Sequence, residues 1–146
     1  MEESLIGIHV HNLDEKGRLA IPSKLRMELG EPFYITCLTD ECLSVYSKEE
    51  WKILSGKLAA IPQSDAKAQR KVRLIFSSAF KCEPDKQGRV LIPQLLRDKV
   101  GLVKEAVMIG ASNRAEIWAK EKWQGFLEEE ETEKDGGLSS LAPYGI

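Results

Sequence analysis

Two arginines, each placed four residues after an aspartate, are the side chains whose types and spacing best suit a chemical role. Asp14 precedes Arg18 in "DEKGR", and Asp85 precedes Arg89 in "DKQGR". A guanidinium group can bind phosphate, or the O6 and N7 atoms of guanine, through two parallel hydrogen bonds. A carboxylate on the same tight turn can hold that group in one orientation, which reduces the entropy lost on binding. The pattern therefore indicates two sites for a phosphate or a base edge.

Further basic residues accompany both motifs. Residues 14–26 and residues 85–97 each carry a net charge of +2, whereas the whole chain carries −2. Compact lysine charges suit contact with a phosphate backbone, and a β-turn or ribbon can enter the major groove. The candidate DNA-binding residues are Asp14, Lys16, Arg18, Lys24, Arg26, Asp85, Lys86, Arg89 and Arg97.

These residues allow two other interpretations. An aspartate–arginine pair could merely stabilise its turn, and for a single copy that structural explanation is favoured. The second copy with the same polar residues favours binding, because a purely structural duplicate needs only the glycine and the apolar pattern. Asp14 and Asp85 could form a catalytic carboxylate pair, but basic neighbours would keep both ionised and no histidine accompanies the repeat. We therefore predict a protein that is not an enzyme and has no cofactor.

Both motifs belong to a tandem repeat. "LDEKGRLAIPSKLR" at 13–26 matches "PDKQGRVLIPQLLR" at 84–97 with an offset of 71 residues. After one inserted residue, "LSVYSKEEW" at 43–51 matches "AEIWAKEKW" at 115–123. About 45 residues thus recur in order, which indicates a duplication. We place the first repeat at 5–52, a helical linker at 53–80, the second repeat at 81–124 and an acidic, partly flexible tail at 125–146.

Each repeat predicts a strand, a polar turn, a second strand, a two-turn helix, two more strands and a last helix. The first strands are expected at 5–10 and 75–81, and the turns contain Gly17 and Gly88. About 45 residues rarely bury enough apolar surface to fold alone. The two repeats should therefore share one core, either by pairing or by interleaving their strands.

The last helices and the linker carry their own signals. Ser47 and Glu50 form a capping box, whereas Ala119 stands at the equivalent position of the second repeat. Ser64 is expected to begin a linker helix that runs through Val72. The basic residues of this helix could simply face solvent, or they could make an additional contact with phosphate. They are Lys67, Arg70, Lys71 and Arg73.

Bulk composition limits the class of protein. Hydrophobic residues make up 42% and charged residues 30%, which is typical of a globular protein. No apolar run approaches the roughly 18 residues that span a bilayer, and the first ten residues lack the features of a secretory signal. A cytoplasmic location is expected.

The three cysteines match no zinc pattern, so a metal site is not expected. Trp51 and Trp123 are expected to anchor their helices to the core.

The quoted repeats strongly resemble the MraZ family of bacterial transcriptional regulators. The resemblance covers residues 5 to about 126. It implies two tandem AbrB/SpoVT-like swapped-hairpin units that form one intertwined, pseudo-dimeric barrel. It also implies a nucleoid-associated repressor that binds short direct DNA repeats upstream of its own cell-division and cell-wall operon. Ring-shaped homo-oligomers are implied as well, and the family signature maps onto Asp14, Arg18, Asp85 and Arg89.

One rival function stays open at this point. A protein-interaction or antitoxin-like module of the same swapped-hairpin type would have a similar repeat pattern. In that case the acidic tail would engage a protein partner, and the arginines would not contact DNA.

Overall fold

The protein combines a six-stranded antiparallel sheet with short helices, which is the α+β organisation that the sequence predicts. The computed structural model describes residues 5–146. The first repeat contains β1 (Ile8–Asn12), β2 (Arg18–Ala20), α1 (Ser23–Leu29), β3 (Phe33–Thr36), β4 (Leu43–Ser47) and α2 (Lys48–Ala59). The connecting helix is α3 (Ala66–Ser78). The second repeat contains β5 (Phe80–Cys82), β6 (Arg89–Leu91), α4 (Gln94–Val100), β7 (Glu105–Gly110), β8 (Ala115–Ala119) and α5 (Lys120–Thr132).

Strands of the two repeats are interleaved. The larger sheet has the order β1-β7-β8-β4-β3-β5, so each repeat's first strand lies on the other repeat's hairpin. β1 pairs antiparallel with β7, and β5 pairs antiparallel with β3. The second strands, β2 and β6, pair with each other and form a separate two-stranded ribbon. The expected intertwining of two swapped-hairpin units is therefore confirmed.

A single hydrophobic cluster joins the ribbon to the larger sheet. It includes Leu19 and Val90 from the ribbon, Leu25 from α1, Leu96 from α4 and Met108 from β7. Burying each such side chain stabilises the fold by roughly 1.5–3 kcal/mol relative to exposure. Because both repeats supply residues to this cluster, neither could complete the core alone.

The Ser47 cap and the tryptophan anchors of the last helices are confirmed. The Ser47 Oγ accepts a hydrogen bond from the Glu50 N–H at 3.2 Å, whereas Ala119 caps α5 without a side-chain bond. Trp51 stacks on Tyr34 with ring centroids 5.6 Å apart, and Trp123 packs edge-on against Trp118 at 5.3 Å. Both tryptophans thus attach a helix to the sheet, as predicted.

The linker differs from the prediction. The strand predicted at 75–81 is wrong for its first five residues, because α3 continues to Ser78 and β5 begins only at Phe80. The apolar residues of this stretch form one side of a helix: Ile75 is buried, and its carbonyl accepts a 2.7 Å bond from the Thr36 hydroxyl. Asp65, rather than Ser64, caps this helix.

Two end segments also refine the predictions. The first strand begins at Ile8 rather than at residue 5, since Gly7 adopts a φ of +93° that interrupts an extended backbone. α5 includes the glutamates at 128–131, and the 3₁₀ turns of Lys134–Tyr144 are interrupted by positive φ values at 135–137. Among residues 5–146, none of the helices has the length and apolar character that crossing a membrane requires.

Candidate functional site

The turn before β2 is built around the carboxylate of Asp14. Its Oδ1 atom accepts the N–H groups of Lys16 and Arg18, each at 2.9 Å. Its Oδ2 atom accepts the Arg18 Nε at 2.7 Å. The Asp14 carbonyl also accepts the Gly17 N–H at 3.0 Å, and Gly17 adopts a φ of +81°. One carboxylate therefore both closes the turn and fixes the guanidinium, as the four-residue spacing predicts.

The turn before β6 repeats this geometry almost atom for atom. The Asp85 Oδ1 accepts the N–H groups of Gln87 and Arg89, each at 2.9 Å, and its Oδ2 accepts the Arg89 Nε at 3.0 Å. Gly88 has a φ of +77°. The aspartate bonds to Nε in both turns, so these hydrogen bonds do not use the two terminal nitrogens of either arginine.

The β2–β6 ribbon brings both arginines to one surface. Arg18 lies opposite Leu91, and Arg89 lies opposite Ala20. Directly opposite residues share a face, so these four side chains lie on one side of the ribbon while Leu19 and Val90 are buried on the other. Arg89 Nη1 also approaches Asp14 Oδ2 to 3.8 Å across the ribbon. The sequence predicts two separate pairs, whereas the structure joins them in one cluster.

Electrostatics keep both aspartates ionised. The hydrogen bond from the backbone N–H of Arg18 is the largest cause of the lowered pKa of Asp14. Desolvation opposes it, and hydrogen bonds from the Arg18 side chain and from the Lys16 N–H add to the lowering. The backbone N–H of Arg89 is likewise the largest cause of the lowered pKa of Asp85. Stable carboxylate charges favour orientation of the guanidinium groups and disfavour proton transfer by these carboxyls at neutral pH.

Arg26 and Arg97 lie where each repeat contacts the other's turn. The Nε atom of Arg26 donates to the Ile21 carbonyl, and that of Arg97 donates to the Ile92 carbonyl, both at 2.9 Å. A Cβ atom on Gly17 would lie 2.5 Å from the Arg97 Cζ, and the equivalent distance from Gly88 to the Arg26 Cζ would be 2.7 Å. These guanidinium groups are half-buried and pack on the glycine turns.

The lysines proposed for the site are all exposed. Lys16 and Lys86 lie on the two turns, and Lys24 lies in the first turn of α1. Their positions suit phosphate contact at the margins of the ribbon. The repeats differ here, because Lys16 has Gln87 as its counterpart in the second turn.

Other side chains with possible chemistry are not arranged as a site. Cys37, Cys42 and Cys82 are buried thiols, and burial raises the pKa of Cys42 and of Cys82 to about 12. Such thiols are poor nucleophiles. Within residues 5–146, no group of three or more histidine, cysteine or acidic side chains is placed to hold a metal ion.

Comparison with known proteins places the chain in a family. The family model described as "MraZ protein, putative antitoxin-like" matches residues 5–74 and again residues 75–136. A protein of Halothermothrix orenii named "Transcriptional regulator MraZ" is 43% identical over 141 residues, covering 97% of this chain and 99% of the relative. A protein of Acetivibrio thermocellus with the same name is 44% identical over 140 residues, covering 96% and 98%. The chain therefore belongs to the MraZ family.

Proposed function

We propose that the chain is a DNA-binding transcriptional regulator without catalytic activity or a required cofactor, and that the β2–β6 ribbon enters the major groove. The observation that carries the proposal is the pair of aspartate-fixed arginines on the outward face of the ribbon, where Arg18 is 31% and Arg89 29% exposed. A two-stranded ribbon fits the width of the major groove, and guanine O6 and N7 match the fork of a fixed arginine. The relatives' name, "Transcriptional regulator MraZ", supports the same conclusion.

Each candidate residue has a distinct role in this proposal. Arg18 and Arg89 contact bases or clamp phosphates, while Asp14 and Asp85 orient them. Exposed lysines hold the DNA backbone; they are Lys16, Lys24 and Lys86. Arg26 and Arg97 pack on the glycine turns with Nε bonded to a backbone carbonyl, and they offer terminal nitrogens to phosphate. The basic residues of α3 are all exposed and are a further candidate for phosphate contact.

Self-association into a ring is the second part of the proposal. One ribbon neutralises only a few phosphates, which gives modest affinity at physiological salt. Several ribbons on one assembly, each bound to one of several direct repeats, raise the apparent affinity by about 10² to 10⁴. Two observations support association. β1 is an edge strand with Ile8 and Val10 exposed, and Ile6 just before it is exposed as well; α3 carries a net positive charge, whereas α5 carries a net negative charge. Opposite charges on different surfaces favour the head-to-tail contacts that close rings.

The regulated DNA is proposed to lie upstream of the chain's own cell-division and cell-wall operon, where binding represses transcription in the nucleoid. A footprint on this upstream DNA tests the function. We expect protection of short repeats in one orientation, and lower expression of a reporter when the protein is present. Absence of protection at low salt, with the protein folded and assembled, would contradict the proposal.

The rival function is a protein-binding, antitoxin-like module, which the description of the family model favours. Its partner would bind the acidic tail at 125–146. Removing residues 128–146 separates the two functions, because this change takes away all the acidic side chains of the tail and leaves the ribbon intact. The regulator keeps its footprint after truncation, whereas the rival loses its partner and never protects DNA.

A further inference from the structure

Leu91 is an exposed leucine in the middle of the candidate DNA-binding surface. Its side chain is 56% exposed, and it lies directly opposite Arg18 in the ribbon. The core does not use it, because the neighbouring Val90 is the residue of β6 that is buried. An apolar side chain between two arginines indicates a ligand that presents an apolar group beside polar atoms.

The two repeats differ at this position. Leu91 is the counterpart of Ala20 at the offset of 71 residues, and Ala20 lies opposite Arg89. The outward face therefore carries two equivalent arginines but only one leucine. Among the differences between the two repeats, the change from Ala20 to Leu91 lies on the outward face of the ribbon. It removes the two-fold symmetry that a pair of identical turns would have.

The thymine C5 methyl is the apolar group that the major groove presents next to hydrogen-bonding atoms. Directly opposite residues of an antiparallel pair have Cβ atoms about 4.5–5.5 Å apart, and successive base pairs are about 3.4 Å apart. A pair such as Arg18 and Leu91 can therefore contact adjacent base pairs at the same time. The arginine suits guanine and the leucine suits thymine.

We propose that Leu91 packs on the methyl group of a thymine adjacent to the base that Arg18 contacts, and that it gives the bound protein a direction on DNA. The inference rests on the proposed DNA-binding function. With the leucine on one side only, the bound sequence is not a palindrome. Subunits placed side by side in one orientation then require repeats in one orientation, which agrees with direct rather than inverted repeats.

Selection from a randomised duplex library, followed by substitution of single bases, tests the proposal. The wild-type protein first defines a motif; each thymine of a duplex with one motif is then replaced by deoxyuridine, which lacks only the methyl group. We expect about a fourfold loss of wild-type affinity at one thymine, equivalent to one apolar carbon returned to water. Leu91→Ala should show no loss at that thymine.

Two variants serve as controls. Leu91→Ala should fold, because the first repeat already has alanine at the equivalent position. Met27→Ala removes an 84% exposed apolar side chain on α1, outside the ribbon, and should keep the wild-type deoxyuridine profile. Ala20→Leu should create sensitivity to deoxyuridine at a second thymine.

The outcomes separate this inference from the function on which it rests. If the wild-type protein selects no motif, the proposed function fails and the role of Leu91 fails with it. If a motif is selected but Leu91→Ala keeps the wild-type deoxyuridine profile, the role of Leu91 is refuted and the function stands. An altered oligomeric mass of Leu91→Ala with an unchanged profile would also refute it, by assigning Leu91 to self-association.

Discussion

The contact between the Gly17 turn of the first repeat and Arg97 of the second repeat gives a quantitative test of the swapped architecture. Gly17 has a φ of +81°, and a Cβ there would lie 2.5 Å from the Arg97 Cζ. Replacing Gly17 with alanine therefore strains the backbone and also displaces the guanidinium from the Ile92 carbonyl. Gly101 is the matched control, because it has a φ of +73° and its Cβ would meet only Lys122 at an ordinary 3.5 Å.

The expected magnitudes follow from these two effects. A left-handed backbone costs an alanine roughly 1–2 kcal/mol, and this is the whole cost expected for Gly101→Ala. Losing one half-buried hydrogen bond from Arg97 adds about 1 kcal/mol, so Gly17→Ala should destabilise the fold by about 2–3 kcal/mol. The guanidinium is the end of a flexible side chain, which keeps the steric contribution small.

Urea unfolding at one protein concentration measures both variants, and a double-mutant cycle isolates the contact. In an Arg97→Ala background, Gly17→Ala should cost only the backbone strain, so the coupling is about 1 kcal/mol. Gly101→Ala should cost the same in both backgrounds. Additive effects of Gly17→Ala and Arg97→Ala would refute the packing of one repeat's arginine on the other repeat's turn.

Three further predictions concern caps, charge and thiols. Ser47→Ala should destabilise the fold by about 1 kcal/mol in urea unfolding, because α2 loses its N-cap bond; an unchanged midpoint would contradict the cap. The lowered pKa of Asp14 stabilises the fold above the ordinary value of about 4, and this contribution is lost as pH falls through the lowered value. The deficit of Asp14→Asn should therefore shrink between about pH 6 and about pH 3, and a constant deficit would contradict the assigned hydrogen bonds. Cys82, with a pKa of about 12, should react with a thiol reagent at pH 8 only as fast as the protein opens; rapid native-state labelling would contradict its burial.

Local features of the site could be predicted from sequence because their causes lie within five residues. The aspartate, the glycine and the arginine of each turn interact with one another, so their spacing predicts the hydrogen bonds. The duplication likewise predicts a shared core, since each copy is too short to fold alone. The residues themselves do not distinguish pairing of the two repeats from swapping of their first strands; the resemblance to a family implies the swap.

Contacts between the repeats could not be predicted in the same way. The approach of Arg89 to Asp14 depends on the register of β2 against β6, and no spacing along the chain encodes that register. The exposure of Leu91 could not be predicted either, because the sequence pattern of β6 does not tell which of its side chains face the core. A comparison of the two repeats offered one signal, since an alanine at position 20 shows that the core does not need a large residue there.

The linker shows a different limit of sequence reasoning. Residues 75–81 are apolar and β-prone, which favours a strand locally. In the structure the first four of them complete α3, because a helix lets Ile75 reach the core while its carbonyl and Ser78 bond to Thr36. Packing against β3 thus decides the conformation, and local preference does not.

Equilibrium titration of a repeat-containing DNA fragment tests most directly whether the paired arginines of the ribbon bind DNA. The comparison uses Arg18→Ala/Arg89→Ala and a charge-matched control, Lys52→Ala/Lys57→Ala on the exposed side of α2. Two lost bidentate contacts at about 1–3 kcal/mol each predict at least a 30-fold loss of affinity for the ribbon variant, and a much smaller, salt-sensitive loss for the control. Circular dichroism and mass should show both variants folded and assembled. Equal losses in the two variants, or unchanged binding without Arg18 and Arg89, would contradict the account.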